Sequence, residues 1–61
     1  MEQFYFIYSF EHKAWWGEKH NGYVEHVYGA GQYTFEEAFA ICESANAYSK
    51  DMPNEVMVPE F

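Results

Sequence analysis

The chain has 61 residues, with ten Asp and Glu against three Lys and a formal net charge of −7 when the histidines are neutral. Arginine is absent, so the planar fork that reads phosphates and guanine edges is missing, along with the positive footprint that nucleic acid demands. Direct DNA or RNA binding and docking to an anionic membrane are disfavoured, whereas a basic partner, drawn in at long range and sensitive to salt, is favoured.

Residues Phe4 to Phe10 alternate, placing Phe4, Phe6, Tyr8 and Phe10 on one face of a strand and Tyr5, Ile7 and Ser9 on the other. Both faces are mostly apolar, which suits a central strand. Glu11-His12-Lys13 reads as a turn and Ala14-Trp15-Trp16 as a short second strand. The stretch from Gly17 to Gly22 is polar, and its Asn21-Gly22 pair favours the positive φ of a tight hairpin turn. Tyr23 to Tyr28 predicts a third strand, with Tyr23, Glu25 and Val27 on one face and Val24, His26 and Tyr28 on the other. Connections this short exclude parallel crossovers and predict an antiparallel meander.

Gly29-Ala30-Gly31 interrupts the pattern. Thr34 then stands as an N-cap with Glu37 three residues later, the spacing of a capping box, and Glu36 and Glu37 suit the positive end of the helix dipole. The helix is predicted from Phe35 to Tyr48, burying Phe35, Ala38, Phe39, Ile41, Cys42 and Ala45 at helical spacing. Pro53 prevents its continuation. Glu55-Val56-Met57-Val58 predicts a last strand, and Pro59 marks a sheet edge or terminus. The expected fold is α+β, a small antiparallel sheet of three or four strands with one helix packed across it, in the order β-β-β-α-β.

Residues 1–61 make a single domain. A chain of this size hides only about 60% of its unfolded surface and needs added stabilisation. Cys42 is the only cysteine, which excludes an intrachain disulfide. Six phenylalanines, six tyrosines and two tryptophans supply the substitute, since each buried ring removes about 150–250 Å² from water. No apolar run approaches the roughly 20 residues of a membrane span. Met1-Glu2-Gln3-Phe4 carries an acid where a leader sequence needs a base. A cytoplasmic location with a reduced Cys42 is expected.

Adjacent strand residues face opposite ways, so only one of Trp15 and Trp16 packs under the helix; the other reaches the outer face, beside Tyr5 or Tyr23. Large aromatic side chains are enriched at interface hot spots. The expected partner-binding residues are the anchors Trp15, Trp16 and Tyr23, rimmed by Glu18, Glu25 and Glu36. The plain alternative places both indoles in cores and leaves the carboxylates to keep the chain soluble. His12, His20 and His26 match no compact metal-ligand spacing, and no metal or other cofactor is expected. Cys42 lies on the buried helix stripe, and Ser9, Ser44 and Ser49 lack a nucleophile signature, so an enzyme is not expected.

Taken in order, Glu11-His12-Lys13-Ala14-Trp15-Trp16, Gly22-Tyr23, Ala30-Gly31-Gln32-Tyr33-Thr34 with Glu37-Ala38, and Asn54-Glu55-Val56-Met57-Val58-Pro59 resemble a family of small proteins encoded by bacteriophages and prophages. The resemblance spans nearly the whole chain. It implies a mobile-element origin and an accessory role inside a host cell, and it transfers no catalytic residue. The expected function is non-enzymatic binding and inhibition of a host protein, either a defence complex or a nucleic-acid enzyme. The negative surface would stand in for nucleic-acid phosphates in a basic groove. Two other readings stay open: a small-ligand, nucleobase-like binder built on the aromatic cluster, and a homodimer formed by pairing edge strands.

Overall fold

The computed structural model describes residues 3–47 and 53–60. It is an α+β fold with the expected element order: β1 (Tyr5–Ser9), β2 (Ala14–Trp16), β3 (Tyr23–Val24), α1 (Phe35–Ala45) and β4 (Glu55–Pro59). The four strands form one antiparallel sheet in the order β3-β2-β1-β4. β1 is central because both of its faces are apolar, and β4 lies at an edge.

Register decides which side chains share a face. Tyr8 pairs with Trp15 and Ser9 with Ala14; on the other side Ile7 pairs with Met57 and Ser9 with Glu55. Trp16 pairs with Tyr23. Directly paired residues point the same way, so Tyr5, Ile7, Ser9, Ala14, Trp16, Tyr23, Glu55 and Met57 face α1. Phe6, Tyr8, Trp15, Val24, Val56 and Val58 face away. The core holds Ile7, Tyr33, Ala38 and Cys42, with Tyr5, Trp16, Ile41 and Met57 packed around it.

α1 begins with the expected capping box. The Glu37 amide donates to Thr34 Oγ1 at 3.2 Å, and the Thr34 amide donates to Glu37 Oε1 at 3.0 Å. The helix ends at Ala45 rather than Tyr48, which lies outside the described residues. Its C-cap, Asn46, turns its side chain to β4 instead of continuing the helix. The predicted buried stripe also needs correction. Ala38 and Cys42 are buried, but Phe35 and Phe39 are each 50% exposed. The small residues Ala38 and Cys42 bring the helix close to the sheet, where Ile7 and Tyr33 fill the core with them. The two phenylalanines sit on the flank, stacked on each other at 5.8 Å, with Tyr5 edge-on to Phe35.

The third strand is much shorter than predicted. Only Tyr23 and Val24 pair with β2, and Val27–Gly29 forms a 3₁₀ turn. The chain leaves β3 early in order to bring Tyr33 beside Tyr5, where reciprocal amide-to-carbonyl bonds of 2.8 and 2.9 Å join them. On the way, the Gly31 amide donates to the Trp16 carbonyl at 3.0 Å. A Cβ on Gly31 would lie 2.7 Å from Glu18 Cα and 2.8 Å from the Gly17 carbonyl oxygen, so backbone approach selects glycine here.

The connection from β2 to β3 is wider than an Asn-Gly hairpin. Asn21 has φ −93°, while Lys19 and His20 take φ of 52° and 62°. Left-handed backbone at such residues is costly and has to be held by its surroundings. The Tyr33 phenol does so, accepting from the His20 amide at 3.1 Å and donating to the Gly17 carbonyl.

The free edge of β4 is plugged. Bonds from the Phe10 amide to the Asn54 carbonyl and from the Glu60 amide to the Phe4 carbonyl fix a register in which Val56 and Val58 bond to β1. The backbone of Glu55 therefore points outward. The Asn46 side chain meets both its groups: Nδ2 donates to the Glu55 carbonyl at 2.8 Å, and the Glu55 amide donates to Oδ1 at 2.9 Å. Pro59 has no N–H to offer a further strand.

Candidate partner-binding site

Trp15 and Trp16 occupy opposite faces, as strand alternation requires. Trp16 lies on the helix side, half-buried, edge-to-face with Tyr23 at 6.0 Å and with His20 at 5.7 Å. Tyr23 is stacked on His12 with ring centres 4.0 Å apart. Trp15 lies on the other side, edge-on to Tyr8 at 4.9 Å and Phe6 at 6.1 Å, and Tyr8 continues to Phe10 at 5.3 Å. The outer indole thus sits beside Tyr8 and Phe6, not beside Tyr5 or Tyr23. Trp15, Trp16 and Tyr23 form no single anchor, because Tyr23 shares the face of Trp16.

The expected rim is divided as well. Glu18 borders a groove at one end of the sheet. Glu25 is exposed in the segment leaving β3, and Glu36 is exposed in the first turn of α1.

Sequence reasoning treated Glu55 as one solubilising acid among several. It is instead 4% exposed on the helix face of β4, and its Oε2 accepts from the Trp16 indole N–H at 3.3 Å. The local signal was its place in an alternating strand, where it falls on the same side as Met57. What makes room for it lies elsewhere: its neighbours across the sheet, Ser9 and then Ala14, are small. Glu55 reaches over them toward β2. Its negative charge is felt around it. Burial first, then Glu55 and Glu11, raise the Tyr23 phenol above its ordinary range. Burial first, then Glu55, push the Cys42 thiol up. A protonated, buried thiol is a poor nucleophile.

Two grooves combine apolar walls with exposed carboxylates. The first, about 400 Å³, sets Phe6, Val27, Tyr28 and Ala30 against Glu18 and Glu60, the latter held by the Gln32 amide. The segment that crosses from β3 to Tyr33 builds its outer wall. The second, about 470 Å³, runs between α1 and β4 and sets Phe39, Val56 and Met57 against Glu43, with the buried Glu55 among its lining residues. His12 is stacked on Tyr23, and His20 packs edge-on to Trp16 and Tyr33. Among the described residues, no group of three or more His, Cys, Asp or Glu side chains is placed to hold a metal ion. Among the same residues, no helix is long and apolar enough to cross a membrane. No protein-family model, no curated protein and no solved structure matches the chain.

Proposed function

We propose that this chain is a non-enzymatic module that binds a basic protein. The observation carrying this reading is the shared composition of the two grooves: each sets apolar walls beside exposed glutamate, Glu18 and Glu60 in the first and Glu43 in the second. A lysine or arginine suits such a groove, because its stem can lie along the wall while its charged head meets a carboxylate. The chain supplies the complementary field, with net charge −7 and no arginine of its own. Following the resemblance to phage-encoded proteins, the partner is a host protein of the cytoplasm. Inhibition would come from carboxylates occupying the basic surface that binds nucleic-acid phosphates.

The test begins with lysine-rich and arginine-rich peptides titrated against the full chain, read by tryptophan fluorescence. Saturable binding that weakens with salt is expected, and the double change Glu18→Gln with Glu60→Gln should reduce affinity about tenfold. Affinity and salt dependence unchanged by those substitutions would sink the reading. The inhibitory role is tested next, on host proteins captured at low salt: a captured protein must lose nucleic-acid binding as the chain is added.

A further inference from the structure

We propose that the groove bordered by Glu18 and Glu60 takes an arginine side chain of the partner, stacked on Tyr28, in preference to a lysine. The inference deepens the basic-partner reading of that groove and rests on it. Tyr28 is the unusual member of the lining. Its side chain is 98% exposed, so its ring buries almost nothing within the fold. The backbone that carries it is nonetheless held. Val27–Gly29 is a 3₁₀ turn, closed by bonds from the Gly29 amide to the His26 carbonyl and from the Ala30 amide to the Val27 carbonyl, each 3.0 Å. The turn thus fixes a bare aromatic ring beside two carboxylates, and tyrosine in such a place is a common anchor for a partner.

Charge and shape select the occupant. Among the described residues that line this groove none is basic, so its negative charge is left for a ligand. Gln32 Nε2 donates to Glu60 Oε2 and orients the carboxylate in advance, which lowers the cost of ordering it on binding. An ionised carboxylate has about four acceptor positions, so Gln32 leaves room for a two-pronged donor. A guanidinium is such a donor: its fork lies in the plane of the carboxylate while its flat faces stay free to stack on a ring. Its stem can lie along Phe6, Val27 and Ala30. A lysine ammonium is a compact, strongly hydrated point charge that gains less from the ring. The second groove lacks this combination. Its Glu55 is 4% exposed and engaged by the Trp16 indole, and its Phe39 ring is already stacked on Phe35.

Calorimetric titration of the full chain with two peptides tests this, one carrying arginine at every position where the other carries lysine. Equal length and charge remove the long-range field from the comparison. The arginine peptide should bind about tenfold tighter. Tyr28→Leu should close that gap by weakening the arginine peptide alone, and Tyr28→Phe, which keeps the ring face, should preserve it. In proton NMR the arginine Cδ protons should shift upfield on binding to wild type and Tyr28→Phe, and not on binding to Tyr28→Leu. Because Tyr28 packs against so little, both variants should fold as wild type does, which circular dichroism verifies. Arginine and lysine peptides that bind equally, or a preference for arginine that survives Tyr28→Leu, would overturn the proposal while leaving the basic-partner reading intact. Failure of both peptides to bind would overturn the two together.

Discussion

Replacing Asn46 by alanine removes three hydrogen bonds at once. The side chain donates to the Glu55 carbonyl at 2.8 Å and accepts from the amides of Glu55 at 2.9 Å and Asn54 at 2.7 Å. All three are partly buried, and they tie the end of α1 to the start of β4. Each such bond contributes about 1 kcal/mol net, so the expected loss is about 2–3 kcal/mol. A domain of this length has a total stability of roughly 3–9 kcal/mol at about 0.05–0.15 kcal/mol per residue, so this single change removes about a fifth of it or more. Urea unfolding followed by tryptophan fluorescence should show the midpoint falling by about 2 M, given a slope near 1 kcal/mol/M for a small protein. Asn46→Asp should fall between wild type and alanine. It keeps both amide-accepting bonds but cannot donate to the Glu55 carbonyl. The alanine variant also unplugs the β4 edge, and its solutions should scatter light sooner on concentration. A loss below about 0.5 kcal/mol would refute the reasoning, since that is the range of an unremarkable surface change.

Thr34→Ala breaks the capping box and should cost about 1 kcal/mol, read as a melting temperature lowered by about 4–8 °C; an unchanged melt would deny the cap its role. Cys42 tests the electrostatics of the helix face. Its thiol is raised by burial and then by Glu55, so labelling by a thiol-reactive disulfide near pH 8 should be slow in the native chain and fast in urea. The unfolded thiol ionises first as pH rises. The contribution of Cys42 to stability is therefore full below the ordinary thiol range and is lost as pH climbs toward the folded value. Equal labelling rates with and without urea would show that the thiol is neither shielded nor shifted.

The features legible in the sequence were those set by near neighbours along the chain. The Thr34–Glu37 capping box spans three residues, and the alternation of Phe6, Ile7, Tyr8 and Ser9 repeats every two. Both follow from backbone geometry that packing does not alter. The same geometry put the two indoles on opposite faces. The extent of the third strand was not legible, because Tyr23 to Tyr28 has acceptable strand composition throughout. It ends at Val24 because Tyr33 must reach Tyr5, a demand visible only once β1 has its neighbours. Phe35 and Phe39 kept the correct helical spacing yet lie on the flank, since spacing names a stripe without saying how wide the sheet below it is.

The candidate site shows the division most clearly. Composition alone determined that the chain is acidic, rich in rings, free of arginine and without an intrachain disulfide. Those properties belong to residues whatever their neighbours. Which rings stand together and which carboxylates share a groove depended on strand order and register. Trp16 meets Glu55 only because β1 lies between β2 and β4 and offers the small Ser9 beneath the carboxylate. Contacts between residues so far apart along the chain depend on how the backbone is folded, and only the tertiary structure decided them.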